Sequence, residues 1–125
     1  MAQAINDQNW LDTIFPPSRT EAFFEALFGG AEEGAYDIRL VFRRSEATRL
    51  EMAFDLLQRP GKCLRCNLTY GLPQVFARHP VLNIKGVAES LGQAMGWQKT
   101  SWSLGHTEEH SPECHSIPFT LVKEA

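Results

Sequence analysis

"YDIRLVFRRSEATRLEMAFDLLQ", residues 36–58, contains two runs in which apolar and polar side chains alternate, separated by the polar segment 45–48. Alternation with a period of two places one side of a strand on an apolar core and the other side in water. Two such runs joined by a short polar segment predict an antiparallel hairpin. The apolar positions are Ile38, Leu40 and Phe42 in the first run and Leu50, Met52, Phe54 and Leu56 in the second.

The polar side of this hairpin carries arginines and acids that predict its register. One register sets Arg39 opposite Asp55 and Arg43 opposite Glu51. Cross-strand pairs of opposite charge stabilise a sheet, so we expect this register. It accounts for both arginines without a ligand.

The following stretch, RPGKCLRCNLTYG at 59–71, begins with a Pro-Gly turn and then alternates again. It predicts a third strand over 63–70, with Arg65 on the polar side. Cys63 and Cys66 have the spacing of half a zinc site or of a thiol redox pair. However, residues three apart on a strand point to opposite faces, so a strand sends Cys66 to the core and Cys63 outward.

Two main helices flank these strands. The first begins with a capping box at Ser18 and ends at Gly29, and the second runs from its cap at Asn83 to Gly96. A short helix is expected between two prolines at 73–80. Residues 1–15 are expected to be an irregular amino-terminal segment.

The last third of the chain predicts a second hairpin, with apolar residues alternating over 100–104 and 117–121. The segment between them, GHTEEHSPECH at 105–115, is expected to be a polar loop. Proline cannot donate a hydrogen bond to a neighbouring strand, so Pro118 predicts that the terminal strand lies at a sheet edge.

These elements predict a single α+β domain over residues 1–125. Their order is helix-strand-strand-strand-helix-helix-strand-strand. The expected architecture is an antiparallel sheet of about five strands with the two main helices packed on one face.

Composition supports a soluble globular protein, since 43% of the 125 residues are hydrophobic and 22% are charged. No apolar run approaches the ~20 residues of a membrane span, and the amino terminus has no signal-peptide pattern. Three cysteines without a framework spacing are typical of a reducing compartment, so we expect a cytoplasmic protein.

Basic residues are concentrated in residues 38–85, whereas both flanking segments are acidic. A basic segment can bind an anionic partner. The candidate binding residues are those on the polar side of the predicted strands or next to it: Arg39, Arg43, Arg49 and Arg65. The second main helix carries a single lysine, Lys85, which argues against nucleic acid as the partner.

The polar loop at 105–115 concentrates histidines near a cysteine, and such side chains bind zinc. The candidate metal ligands are Cys66, His106, His110, Cys114 and His115. The order of residues in His106–His110 is not that of the metalloprotease motif, because the acid is misplaced.

No nucleophile elbow, phosphate-binding glycine loop or pair of catalytic acids is found in the sequence. We therefore expect a non-enzymatic binding or protein-interaction module that needs no cofactor and whose partner is a protein or an anionic ligand. The alternative is a zinc-binding or thiol-redox protein that uses Cys63, Cys66 and the segment 106–115.

Overall fold

The computed structural model describes residues 7–28, 36–61, 76–78 and 82–124. Its helices are α1 (Gln8–Ile14), α2 (Pro17–Phe28) and α3 (Ile84–Met95), and residues 76–78 are also helical. Its strands are β1 (Tyr36–Ser45), β2 (Arg49–Gln58), β3 (Thr100–Leu104), β4 (Glu108–Ser111) and β5 (Cys114–Lys123).

In the described part of the chain, all five strands form one antiparallel sheet with the order β1-β2-β5-β3, and β4 pairs with β5. The α+β class and the five-stranded antiparallel sheet are confirmed. The predicted third strand at 63–70 lies outside the described residues, as do Cys63, Cys66 and Arg65.

The hairpin of β1 and β2 follows the predicted register over most of its length. Arg39 lies opposite Asp55 as expected. A β-bulge then interrupts the pairing between Phe42 and Arg44, and Arg44 takes the place opposite Glu51. The prediction that Arg43 faces Glu51 is therefore wrong, because the bulge adds one residue to β1 and shifts the pairing.

One face of the sheet, called the core face here, packs against the helices. Its centre is Phe54, which stacks on Phe119 with ring centroids 5.3 Å apart and contacts Phe15 at 5.2 Å. Phe23 of α2 and Leu91 of α3 are buried in the same cluster. Both main helices therefore cover the same face, as the sequence predicts.

β5 is a central strand, paired with β2 on one side and with β3 and β4 on the other. The prediction that Pro118 marks an edge is wrong. The Gly105 N–H donates to the Pro118 carbonyl at 2.8 Å, and the nitrogen and oxygen of one strand residue face the same neighbour. The missing donor of Pro118 thus faces Gly105, where β3 has already ended.

The segment 105–115 is not a polar loop throughout, because Glu108–Ser111 forms β4 and pairs with the start of β5. A turn at residues 112–113 connects the two strands. The Ser111 side chain accepts a hydrogen bond from the Glu113 N–H at 3.3 Å, which stabilises the turn locally.

Residues 8–14 form α1, so the prediction of an irregular segment over residues 1–15 is wrong there. Asp7 caps the helix by accepting a hydrogen bond from the Asn9 N–H at 3.0 Å. Leu11 and Phe15 are buried in the core. These two apolar contacts give a short helix the tertiary support that an isolated helix of its length lacks.

The main helices lie where the sequence places them. Asn83 caps α3 through a hydrogen bond from the Gly86 N–H, and Gly96 ends it with a left-handed φ of 76°. α2 begins at Pro17 rather than at a Ser18 cap, because proline suits a first-turn position whose N–H has no helical partner. Among the described residues, no helix is long and apolar enough to cross a membrane.

The helices also cover the edge of β1 that does not pair with β2. The Thr20 hydroxyl accepts a hydrogen bond from the Ile38 N–H at 3.1 Å and donates to its carbonyl at 3.4 Å. The Gln8 amide donates to the Leu40 carbonyl at 2.7 Å. Backbone groups that an edge strand leaves open are therefore bonded to side chains at this edge.

Candidate functional site

The face of the sheet opposite the core face, called the outer face here, carries most of the polar strand residues. Cross-strand pairing aligns one polar row across it: Arg39 of β1, Asp55 of β2, Ser116 of β5 and Glu108 of β4. The Ser116 hydroxyl donates to the Asp55 carboxylate at 2.7 Å. The outer face therefore carries charges of both signs.

Arg39 is held by an acid from α1. Its guanidinium contacts the Asp12 carboxylate at 3.0 Å, and Gln8 donates a second hydrogen bond to the same carboxylate. The hydrogen bond from Arg39 lowers the pKa of Asp12 below its ordinary value of 3.8. The positive charge of Arg39 is thus neutralised within the protein.

Arg43 is neutralised in a different way. Its guanidinium contacts the Glu108 carboxylate at 2.9 Å, although β2 and β5 lie between β1 and β4. The ion pair therefore spans the outer face. Ala53 lies on this face between Val41 and Pro118 and is 0% exposed, so the middle of the outer face is closed to solvent.

Arg44 has two acidic partners at the turn of the β1–β2 hairpin. It forms ion pairs with Glu46 and with Glu51, the latter at 3.1 Å. The hydrogen bond from Arg44 lowers the pKa of Glu46. Arg44 therefore offers little charge to a partner.

Arg49 is the exception among the predicted binding residues that the structure describes. It is exposed on the outer face at the start of β2, opposite Val122 of β5. Among the described residues, no carboxylate lies within ion-pairing distance of its guanidinium. Its charge is one cause of the lowered pKa of Glu46, although a smaller one than the hydrogen bond and charge of Arg44. With no ion pair to a described carboxylate, the guanidinium of Arg49 remains available to a ligand.

Two lysines lie at the same end of the sheet, one at the end of β5 and the other just before β3. Lys123 ends β5, where its N–H donates to the Thr48 carbonyl at 2.8 Å. Lys99 immediately precedes β3, and its carbonyl accepts from the Glu124 N–H at 2.9 Å. We call Arg49, Lys99 and Lys123 the basic end of the sheet.

A cleft of about 450 Å³ opens at the basic end. Both lysines are exposed, and neither has an ion pair with a described carboxylate. Glu124 contributes one negative charge to the cleft wall. The residues that line the cleft are Gly96, Gln98, Lys99, Lys123 and Glu124.

Comparisons with known proteins do not assign this chain. No protein-family model matches it, and no curated protein or solved structure is significantly similar to it. Its function therefore has to be argued from its own residues.

The histidines and cysteine proposed as metal ligands are spread over both faces. His115 lies on the core face and is 2% exposed, whereas its neighbour Cys114 lies on the outer face. His106 and His110 are exposed. Within the described ranges, no group of three or more His, Cys, Asp or Glu side chains could hold a metal ion. Cys66 lies outside these ranges.

Cys114 does not have the environment of a reactive thiol. Burial raises its pKa, and the negative charge of Asp55 raises it further. A raised pKa reduces the thiolate fraction at neutral pH, and the thiolate is the reactive form. The environment of this cysteine therefore favours a structural role.

A second cleft, of about 320 Å³, lies beside β1 and opens onto the exposed side chain of Leu57. Its acids are already paired, Asp12 with Arg39 and Asp37 with Arg59. The remaining lining is mostly apolar, so this cleft has no net charge preference. Its lining residues are Asp12, Phe15, Pro17, Thr20, Asp37, Ile38, Arg39 and Leu57.

Sequence reasoning missed Lys99 and Lys123 as candidate binding residues. Each lies at the end of a predicted strand and outside the basic middle segment, so neither belongs to a local cluster of charge. The pairing of β5 with both β2 and β3 brings them beside Arg49. That pairing joins segments far apart in the sequence. The one sequence signal that concerned the position of β5 was Pro118, and it wrongly predicted an edge strand.

Proposed function

We propose that this protein is a non-enzymatic binding module that takes an acidic segment of a protein partner at the basic end of its sheet. The observation that carries the proposal is the grouping of Arg49, Lys99 and Lys123 at one end of the sheet, where the two lysines line a cleft. None of the three forms an ion pair with a described carboxylate. The other predicted arginines that the structure describes, Arg39 and Arg43, form ion pairs with acids and would have to break them to bind a partner.

The shape of the basic end supports an extended partner rather than a single small anion. Arg49 lies on the outer face of the sheet. Lys123 lies two residues after Leu121 at the end of β5, and therefore on the side of the core face. The three cations therefore surround the end of the sheet. A chain with several carboxylates can reach all of them, and each contact at an exposed site contributes a modest free energy.

We expect a short polyglutamate peptide to bind the purified protein, and to bind about tenfold more weakly when Arg49, Lys99 and Lys123 are all changed to glutamate. Binding of the fluorescently labelled peptide is measured by anisotropy. Because exposed charges are screened by salt, the affinity should also fall as ionic strength rises.

Lys85→Glu is the matched control. Lys85 is exposed near the amino end of α3, and the ten residues between it and the helix end correspond to roughly 15 Å. Its reversal should leave peptide affinity close to that of the unaltered protein. If Lys85→Glu lost as much peptide affinity per reversed charge as the triple variant at the basic end, the proposal would be rejected. It would also be rejected if the peptide did not bind at all.

A further inference from the structure

Among the strands that the structure describes, β3 lies at an edge of the sheet, with only one side paired. The Lys99 carbonyl and the Gly105 N–H both bond to β5. Because successive residues of a strand turn their backbone groups to alternate sides, those of Thr100, Trp102 and Leu104 face away from β5. None of them has a hydrogen-bond partner among the residues that the structure describes.

Described side chains protect the opposite edge of the sheet, whereas none of them protects β3 in this way. At β1, Thr20 and Gln8 bond to outward backbone groups, and a bulge interrupts the strand at Arg43. β3 is regularly paired and contains no charged residue, no proline and no bulge. Charged residues, prolines and bulges are among the features by which natural edge strands avoid association.

We propose that β3 pairs antiparallel with β3 of a second copy of this chain, about a two-fold axis at Trp102. In this register Trp102 meets its symmetry mate, Ser101 meets Ser103, and Thr100 meets Leu104. Every outward N–H and carbonyl of the strand then has a partner. The two sheets join into one continuous sheet.

The side chains of β3 suit a second copy. Trp102 and Leu104 are half-buried and pack against the core, and Trp102 contacts Phe119 edge-on with ring centroids 6.1 Å apart. Pairing extends this apolar row and adds an aromatic cross-strand pair at the axis. On the outer face only the exposed serines 101 and 103 meet, so no like charges oppose each other.

The dimer leaves the basic end exposed. Lys99 lies just before β3 and falls opposite Gly105 of the second copy, which has no side chain to occupy the space. Each dimer therefore presents two basic ends. The inference does not depend on the identity of the acidic partner.

Sedimentation equilibrium tests the proposal. The full chain should sediment as a dimer. The double variant Ser101→Lys/Ser103→Lys places like charges directly opposite each other across the axis. It should raise the dimer dissociation constant at least about a hundredfold. A matching variant, Ser101→Glu/Ser103→Glu, should also be monomeric.

Mixing the two variants decides whether β3 is the interface. Each lysine then faces a glutamate, and a heterodimer should form again. Ala22→Lys/Ala26→Lys on the exposed side of α2 adds the same charge elsewhere and should stay dimeric. A monomeric unaltered chain, a dimer that survives the lysine pair, or a mixture that stays monomeric would each overturn the proposal. If the chain is a monomer, the candidate partner of the β3 edge becomes an extended segment of a different protein.

Discussion

Phe54→Ala should lower the free energy of unfolding by about 3–5 kcal/mol, the largest effect that we expect from a single core substitution. Phe54 is 0% exposed and contacts three other rings, those of Phe15, Phe76 and Phe119. Truncation removes apolar surface from the core and leaves a cavity among aromatic rings that cannot all move inward.

Urea unfolding followed by fluorescence measures this loss. Phe54→Leu is the control, because it keeps most of the side-chain volume and should cost clearly less than the alanine variant. If the alanine variant loses less than about 1 kcal/mol, Phe54 is not at the centre of the core, and the packing of Phe15, Phe76 and Phe119 around it would have to be wrong.

Thr20→Val should lower the free energy of unfolding by about 1–3 kcal/mol although it preserves the shape of the side chain. Thr20 is 1% exposed, and its hydroxyl bonds to both the N–H and the carbonyl of Ile38. Valine leaves these buried backbone groups on β1 without their partner. Thermal and urea unfolding of the two proteins give the difference.

Thr20→Ser separates the hydroxyl from the methyl group. Serine keeps both hydrogen bonds and loses only the packing of one methyl group, so we expect it to be more stable than the valine variant. The reverse order, with serine the less stable, would show that Thr20 acts through packing and that α2 does not protect the edge of β1.

The β1–β2 hairpin and α3 could be predicted because their signals are local. Alternating side chains define the core face of the hairpin, and Asn83 and Gly96 mark both ends of α3. In each case, residues close in sequence determine the structure. The tertiary structure agrees with these local signals.

The exact pairing of Arg43 could not be predicted from charge. Arg43 and Arg44 are adjacent arginines, so either can face Glu51, and a cross-strand charge rule does not choose between them. Because of the bulge, Arg44 lies opposite Glu51, and Arg43 forms its ion pair across the sheet with Glu108.

The position of β5 in the sheet depended on a neighbour that the sequence does not reveal. Pro118 is unsuited to a continuous ladder, and the edge prediction followed from that rule. The rule is satisfied in another way, because β3 ends at Leu104 and only Gly105 faces the proline nitrogen.

The candidate site was misjudged for a related reason. The acids that neutralise Arg39 and Arg43 come from α1 and β4, two segments that the sequence predicts as irregular or as a loop. Asp12 and Glu108 could not be recognised as partners without these elements. With these elements in place, Arg49 is the one described arginine of the prediction that has no ion pair with a described carboxylate.

The central claim is that binding depends on charges left open at the basic end and not on the arginines that the fold has paired. Comparing Arg49→Gln with Arg43→Gln in polyglutamate titrations tests it most directly, since each variant removes one positive charge. We predict weaker binding, by about threefold or more, for Arg49→Gln and nearly unchanged binding for Arg43→Gln. Equal losses in both, or a larger loss for Arg43→Gln, would contradict the claim.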